Sequence, residues 1–365
     1  MIILSSLISL RLSISVSIIE ILIGVIAGNL GLIHPESWML LIASFGGVLL
    51  TFLAGTEVDT DLLKNKLKES LFIGISSFIV PFICIFLVSY FIIRWNLNIS
   101  LLTATALSET SIAVVYSVLV EKGLCDYEIG KILMAATFIT NLCTVVALSI
   151  LFVDFTIYTA LFYVLCIVIL VISWKYSDSI LENKYFKDKI NEVEIKYVFV
   201  LLLAFIFLAN FGGGQAIFPA FILGVLLSKA LKENPGEQKS KTRLKTVAFA
   251  IITPIFFIVG GMKVSIPLIM GSIGIFILIL ITRQVAKFIG IYSVSKHYVN
   301  ENKMYTTLMM STGLTFGLVA AVYGLNQGLI TQTVYSLITG ILVVSAILPS
   351  FIAEKWYSPK LFEKY

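Results

Sequence analysis

The sequence predicts an all-α membrane protein of about 12 transmembrane helices, arranged as two inverted repeats that each contain a discontinuous helix. Three observations carry this. Hydrophobic residues make up 59% of the 365 and charged residues 13%, with a mean hydropathy of +1.02, far from the balance of a soluble domain. Apolar runs of about 20 residues, the length that crosses a bilayer as a helix, recur from end to end and alternate with loops of very unequal basic charge. When the chain is slid against itself by about 205 positions, polar interruptions of two apolar runs fall on one another.

In order, the runs predict spans at 14–33, 38–57, 70–93, 99–120, 129–153 and 155–174, then at 197–212, 216–231, 246–263, 268–295, 305–325 and 329–352. The connections at Val153-Asp154-Phe155 and Gly212–Gln215 leave almost no loop. Basic residues check the count. Lys64, Lys66 and Lys68 follow span two; Lys122 and Lys131 follow span four; Lys175, Lys184, Lys187, Lys189 and Lys196 follow span six. Lys229, Lys232, Lys239, Lys241, Arg243 and Lys245 follow span eight; Lys296 and Lys303 follow span ten; Lys355, Lys360 and Lys364 close the chain, and Arg11 precedes span one. The opposite side has Arg94 and Lys263 only, and Arg283 and Lys287 lie within span ten. So lopsided an alternation predicts a multi-pass cell-membrane protein with both ends of this chain in the cytoplasm.

The net charge of +5 therefore reflects topology, and nucleic acid is not an expected partner. The longest loop, 175–196, is too short to fold alone. Cys84, Cys125, Cys143 and Cys166 show no metal-ligand spacing, and His34 and His297 are expected to stand isolated in loops. Gly212-Gly213-Gly214 lacks the Lys and Ser/Thr of a phosphate cradle, so neither an enzyme nor a cofactor is expected.

On the 205-residue offset, Ala54-Gly55 and Val58 meet Gly260-Gly261 and Val264, Leu62 meets Leu268, and Gly123-Leu124 meets Gly328-Leu329. The same offset brings Ser108-Glu109-Thr110 onto Gly313-Leu314-Thr315, within a second interruption spanning Ser311, Thr312, Gly313 and Thr315. Repeats with an odd number of spans are inverted relative to the membrane. The repeats are assigned to 1–153 and 197–365, with 154–196 as a linking span and loop. Unwound backbone at mid-membrane is tolerated where it lines a cavity, so two matched breaks point to a transport site.

The first break carries Ser108-Glu109-Thr110-Ser111, and the next span carries Thr137, Thr140, Asn141 and Thr144 at i, i+3, i+4 and i+7, one helix face. An ionisable side chain in lipid costs several kcal/mol unless it faces a partner or water, and such residues mark ion or proton pathways. Taking midpoints, Glu109 and Asn141 share one depth, and Glu109, Asn141, Thr140, Ser108, Thr110 and Thr144 form the candidate ion-binding set, with Glu109 and Asn141 as direct ligands. Arg283 is deep enough to need a partner, whereas Lys287 could snorkel from a helix end.

The run Phe52-Leu53-Ala54-Gly55-Thr56-Glu57-Val58-Asp59 resembles the F-L-A-G-x-E-x-D of the Kef-type monovalent cation/proton antiporters. Ile18-Ile19-Glu20-Ile21-Leu22-Ile23-Gly24 resembles their V-x-G-E-I-L-x-G, Ala106-Leu107-Ser108 with Thr110-Ser111 their A-L-S-x-T-A, and Phe256-Phe257-Ile258-Val259-Gly260-Gly261 their F-F-x-x-x-G. The resemblance covers nearly the whole chain. It implies a sodium/proton-antiporter-like fold whose two broken helices cross near the bilayer centre. It further implies a moving core of spans three to five and ten to twelve, a scaffold of spans one, two and seven to nine, and a homodimer. Close helix contact through Gly24 and Gly28 would suit that assembly. Members generally have one helix more at the start, so one is expected to precede this chain, with Met1–Leu10 as its remaining end.

Two departures stand out. The family's ion-binding aspartate falls at Asn141 of Thr140-Asn141, and its usual small or neutral residue falls at Glu109. The family's basic residue, followed three positions on by glycine, fits Lys287 and Gly290, with Arg283 one turn earlier; both remain candidates for charge compensation. The expected activity is exchange of a monovalent cation, Na+ ahead of K+ or Li+, for H+, with Glu109 in place of the aspartate. The alternatives are a K+/H+ antiporter and an inactive or sensor paralogue lacking that aspartate.

Overall fold

The structure, a computed structural model, describes residues 1–12, 15–57, 66–124, 127–152, 156–181, 193–233 and 242–359. Outside it lie Val58-Asp59 and Leu62, Cys125, the Val153–Phe155 connection and the basic residues Lys64, Lys184, Lys187, Lys189, Lys239, Lys241, Lys360 and Lys364. Among the described residues the regular structure is helical. In order come α1 (Ile2–Leu12), α2 (Val16–Asn29), α3 (Ser37–Thr56) and α4 (Leu67–Leu87, continued by a π turn over Val88–Ile92). Next are α5 (Leu97–Ser108), α6 (Ile112–Glu121), α7 (Glu128–Leu151), α8 (Ile157–Leu181), α9 (Val193–Gly212) and α10 (Ile217–Glu233). α11 covers Thr242–Met262; then follow α12 (Ile266–Gly271), α13 (Ile273–Tyr298), α14 (Lys303–Met310), α15 (Thr315–Asn326) and α16 (Gln332–Trp356).

Ten of the described helical stretches are long and apolar enough to cross a membrane, and two shorter apolar helices, Val16–Asn29 and Ile217–Ser228, fall on the first and eighth expected spans. The chain is a multi-pass membrane protein. Two details differ from expectation. Span ten does not run unbroken from residue 268: Ser272, next to Gly271 and two residues before Gly274, takes a non-helical backbone and separates α12 from α13, as a cluster of weak helix formers does. His297 is not in a loop. It stands in the last turn of α13, edge-on to Tyr298 at 4.9 Å, where the helix dipole favours a basic group.

Charged contacts join chain segments that lie far apart in sequence. Lys66 pairs with Glu128 at 2.5 Å, Lys122 with Glu354 at 3.6 Å and Lys245 with Glu57 at 2.6 Å, each joining two segments expected on the basic side. Lys263 Nζ donates to Asn326 Oδ1 at 3.2 Å, and Gln332 Nε2 donates to the Lys263 carbonyl, all in segments expected on the other side.

The chain divides into two compact units, each built from separated stretches. One contains Pro35–Thr60 and Val145–Val259. Its core joins Leu49 and Phe52 of α3 to Phe162 of α8, Phe205 of α9 and Leu223 of α10. The other contains Met1–His34, Asp61–Thr144 and Gly260–Tyr365. Its core gathers Ile73, Val115, Leu119, Leu133, Ile291 and Met309, and it holds both broken helices.

The repeat is visible in packing as well as in sequence. A methyl group on Gly55 of α3 would strike the Phe221 carbonyl and come within 2.9 Å of the Val225 amide; on Gly261 of α11 it would strike the Ile21 carbonyl and come within 2.9 Å of the Val25 amide. Each glycine lets its helix meet the backbone of another at a carbonyl and the amide four residues on, the close approach that small residues permit in membranes.

Candidate functional site

Each break begins where polar residues interrupt an apolar helix. α5 stops at Ser108, Glu109 takes an extended conformation (φ −68°, ψ 167°), and α6 begins at Ile112. Ser111 supplies the new N-terminus, its Oγ accepting from Val114 N at 3.4 Å, the bond an N-cap makes. In the second break α14 ends at Met310 and α15 begins at Thr315. The breaks meet: Ser111 N donates to the Thr312 carbonyl at 3.3 Å, Ser111 Oγ lies 3.2 Å from Thr315 Oγ1, and Thr110 Oγ1 donates to the Met310 carbonyl at 2.9 Å. These bonds hold two discontinuous helices crossed over one another.

A broken helix in a membrane exposes carbonyls at one end and amides at the other, and neither can be left bare in an apolar interior. The basic residues of α13 answer the carbonyl ends. Arg283 Nε donates to the Leu107 carbonyl and Nη1 to the Ser311 carbonyl, both at 2.8 Å, so one guanidinium binds the C-terminal ends of α5 and α14. One turn on, Lys287 Nζ donates to Ser77 Oγ at 2.9 Å, Thr110 Oγ1 at 3.0 Å and the Met310 carbonyl at 3.4 Å. Both side chains are wholly buried, and both stand where helix dipoles favour a cation.

Glu109 faces the opposite polarity. Its side chain is wholly buried, and neither carboxylate oxygen has a hydrogen-bond partner among the described residues. The charge acting on it most strongly is Arg283, then Lys287, and the amides of Leu314 and Gly317 also act on it. Gly313 stands between the carboxylate and the guanidinium. A methyl group there would strike Arg283 Nη2 and come within 3.2 Å of Glu109 Oε1. Nη2 is itself buried without a partner among the described residues.

On α7, Asn141 is 1% exposed and both its amide atoms lack a hydrogen-bond partner among the described residues. Its neighbours are engaged. Thr140 Oγ1 donates within reach of the Gly74 and Ala136 carbonyls at 3.1 and 3.0 Å, Thr144 Oγ1 donates to the Thr140 carbonyl at 3.0 Å, and Thr137 Oγ1 to Met310 Sδ at 3.3 Å. Ser108 Oγ donates to the Ala104 carbonyl at 2.6 Å, and Thr312 Oγ1 to the Met309 carbonyl at 2.7 Å. Hydroxyls whose protons are so placed keep a lone pair for a cation. Among the predicted residues, Thr110, Lys287, Arg283, Thr315 and Gly313 meet at the crossing. No hydrogen bond joins Glu109 to Asn141. Ser77 of α4 and Ser345 of α16, whose Oγ donates to the Gly313 carbonyl at 3.5 Å, were not anticipated. The Ser76-Ser77 pair inside an apolar span was a visible sign of the first.

Comparison with known proteins agrees in sequence and in fold. The chain is 27% identical over 357 residues to the "Probable Na(+)/H(+) antiporter 3" of Methanocaldococcus jannaschii, covering 93% of this chain and 90% of that protein. It is 25% identical over 374 residues to the "Na(+)/H(+) antiporter" of Enterococcus hirae, covering 97% and 94%. The solved sodium proton antiporter MjNhaP1 of M. jannaschii superposes with a TM-score of 0.70 over 98% of this chain and 97% of that one, at 16% identity, which shows a shared fold. The profile that matches is broader than the Kef-type subdivision to which the Phe52–Asp59 run points. It is described as "Sodium/hydrogen exchanger, transmembrane" and spans residues 1–354, and this chain therefore belongs to the sodium/hydrogen exchanger family.

Proposed function

We propose that this protein exchanges Na+ for H+ across the cell membrane by alternating access, with Glu109 as the group that both ions seek. The observation that carries this is a carboxylate wholly buried at the crossing of two broken helices with no hydrogen-bond partner. A buried carboxylate left ionised and unpaired is costly, so it must take up either a proton or a cation. Sodium is a hard ion that takes oxygen ligands, and the relatives that cover most of this chain are named for Na+ and H+. Asn141 would supply a neutral oxygen, and Ser108, Thr140 and Thr144 further lone pairs, while Thr110 Oγ1 is engaged by Lys287 and the Met310 carbonyl. With one carboxylate alternating between one Na+ and one H+, exchange would be electroneutral.

The remaining assignments follow the same reading. The core would be spans three to five and ten to twelve, moving as a body against the rest of repeats 1–153 and 197–365, with 154–196 as linker. The working unit would be a homodimer in the lipid bilayer with the basic loops and both ends of this chain cytoplasmic.

Proteoliposome flux under an imposed pH step, with Na+, Li+ and K+ in turn, tests the activity. Glu109→Gln should abolish cation-driven proton movement while the protein remains folded. Normal transport by that variant moves the site elsewhere. Asn141→Asp adds a second carboxylate and should make exchange electrogenic, read with a voltage-sensitive dye. The second reading, a non-transporting paralogue, has one observation in its favour, the amide at 141. No cation-dependent proton flux in any condition would establish it.

A further inference from the structure

Lys287 is held in an unusual way for a buried ammonium. No carboxylate oxygen is among its hydrogen-bond partners, which are the hydroxyl of Ser77, the hydroxyl of Thr110 and the carbonyl of Met310, at 2.9, 3.0 and 3.4 Å. Ser77 and Thr110 are themselves 3.2 Å apart, and Thr110 Oγ1 donates to the same Met310 carbonyl. Ser77 and Thr110 are wholly buried, as is Lys287. Met310 is the last residue of α14, so its carbonyl lies at the negative end of that helix. An ammonium offers three donors and no acceptor, and here three oxygens from three separate elements converge on it. Such a group of hydroxyl and carbonyl oxygens is what a hard monovalent cation requires, and the nitrogen stands in for that ion.

We infer that Ser77 Oγ, Thr110 Oγ1 and the Met310 carbonyl form a monovalent-cation site in which the Lys287 ammonium is a tethered occupant, and that K+ or free ammonium takes the site when that group is removed. The spacing of the oxygens suits an ion of ammonium's size better than the smaller Na+. Thr110 adjoins Glu109, so the resident ammonium fills the place next to the carboxylate and keeps a second ion out. That consequence rests on the exchange reading above; the site itself does not.

The test reads binding, not transport. Purified Lys287→Met keeps the aliphatic stem and loses the charge. Its melting midpoint should rise by about 3 °C or more in KCl or NH4Cl over choline chloride, with a smaller rise in NaCl, while the parent chain shows no such preference. Ser77→Ala combined with Lys287→Met should lose most of the rise. Should Lys287→Met be poorly folded in choline, Lys287→Gln, whose amide can donate into the same oxygens, is titrated in parallel. Recovery of folded Lys287→Met only in potassium or ammonium salt supports the site. The inference is overturned if both variants are no more stabilised by these ions than the parent, or if neither is recovered in any salt. A parent chain without flux but with this pattern in Lys287→Met would sink the exchange reading and leave the site standing.

Discussion

In the first broken helix the chain leaves α5 at Ser108 and re-enters a helix at Ile112; in the second it leaves α14 at Met310 and re-enters at Thr315. The first interruption spans three residues and the second four, and Ser111 and Thr315, 204 residues apart, touch through their hydroxyls. The side chains do not correspond. The first break carries the ionisable group, Glu109, and a capping serine; the second carries Gly313, which leaves room for that carboxylate and for Arg283. Inverted repetition thus supplies two interrupted helices, of which one carries a buried carboxylate and the other the glycine beside it.

The difference can be broken most severely at Arg283, which serves both breaks at once. Arg283→Met leaves the Leu107 and Ser311 carbonyls buried without their donor and should cost about 3–5 kcal/mol, read as a lower melting midpoint in detergent and loss of folded yield. Arg283→Lys keeps the charge, but a single ammonium cannot hold two carbonyls as a planar fork does, and it should recover less than half of the loss. Full recovery by lysine would mean that charge, and not the double bond to both helix ends, is what the crossing needs.

Next in size is Gly313→Ala. The added methyl group meets Arg283 Nη2 and crowds Glu109 Oε1, an overpacking that should cost about 1–3 kcal/mol. Flux should fall more than stability suggests, because the displaced groups are the carboxylate and its nearest cation. A change in the first break, Thr110→Ala, creates no clash and removes one hydroxyl bonded to Lys287 and Met310. Equal flux loss in the two variants would refute the division of roles between the breaks.

Periodicity made most of the fold legible, because a membrane leaves few options: long apolar runs must be helices. Both breaks were legible as Ser108–Ser111 and Ser311–Thr315, since polar and glycine residues stand out against apolar helix. What a single sequence did not carry was pairing in space. Arg283 and Lys287 read as counter-ions for Glu109, yet their bonds run to helix-end carbonyls and hydroxyls, because carbonyl acceptors at a broken helix have no sequence signature. Nor did the apolar run from 268 disclose the interruption at Ser272, where Gly271, Ser272 and Gly274 weaken the helix without adding charge.

The repeat itself can be sharpened with two glycines outside the breaks. Gly55→Ala and Gly261→Ala each push a methyl group into another helix's carbonyl and to 2.9 Å from an amide, Val225 in one case and Val25 in the other. If these contacts are counterparts, each substitution should cost about 1–3 kcal/mol, and the two costs should agree to within about 0.5 kcal/mol. A large loss from one and none from the other would confine the likeness to the broken helices.

The smallest effect bears on the caps. Ser111 Oγ accepts from Val114 N at 3.4 Å and touches Thr315 Oγ1 at 3.2 Å, whereas α15 starts at Leu314 without a side-chain cap. Ser111→Ala should therefore cost about 1 kcal/mol, the usual loss for an N-cap. Thr312→Ala, in the uncapped break, loses only a local bond to the Met309 carbonyl and should cost about 0.5 kcal/mol. Both hydroxyls are buried, so burial alone predicts equal losses and capping predicts unequal ones. Chemical denaturation of the two variants in matched detergent decides between these accounts. If Thr312→Ala proves the more costly, the second break depends on its own hydroxyl and capping does not set the order of the losses.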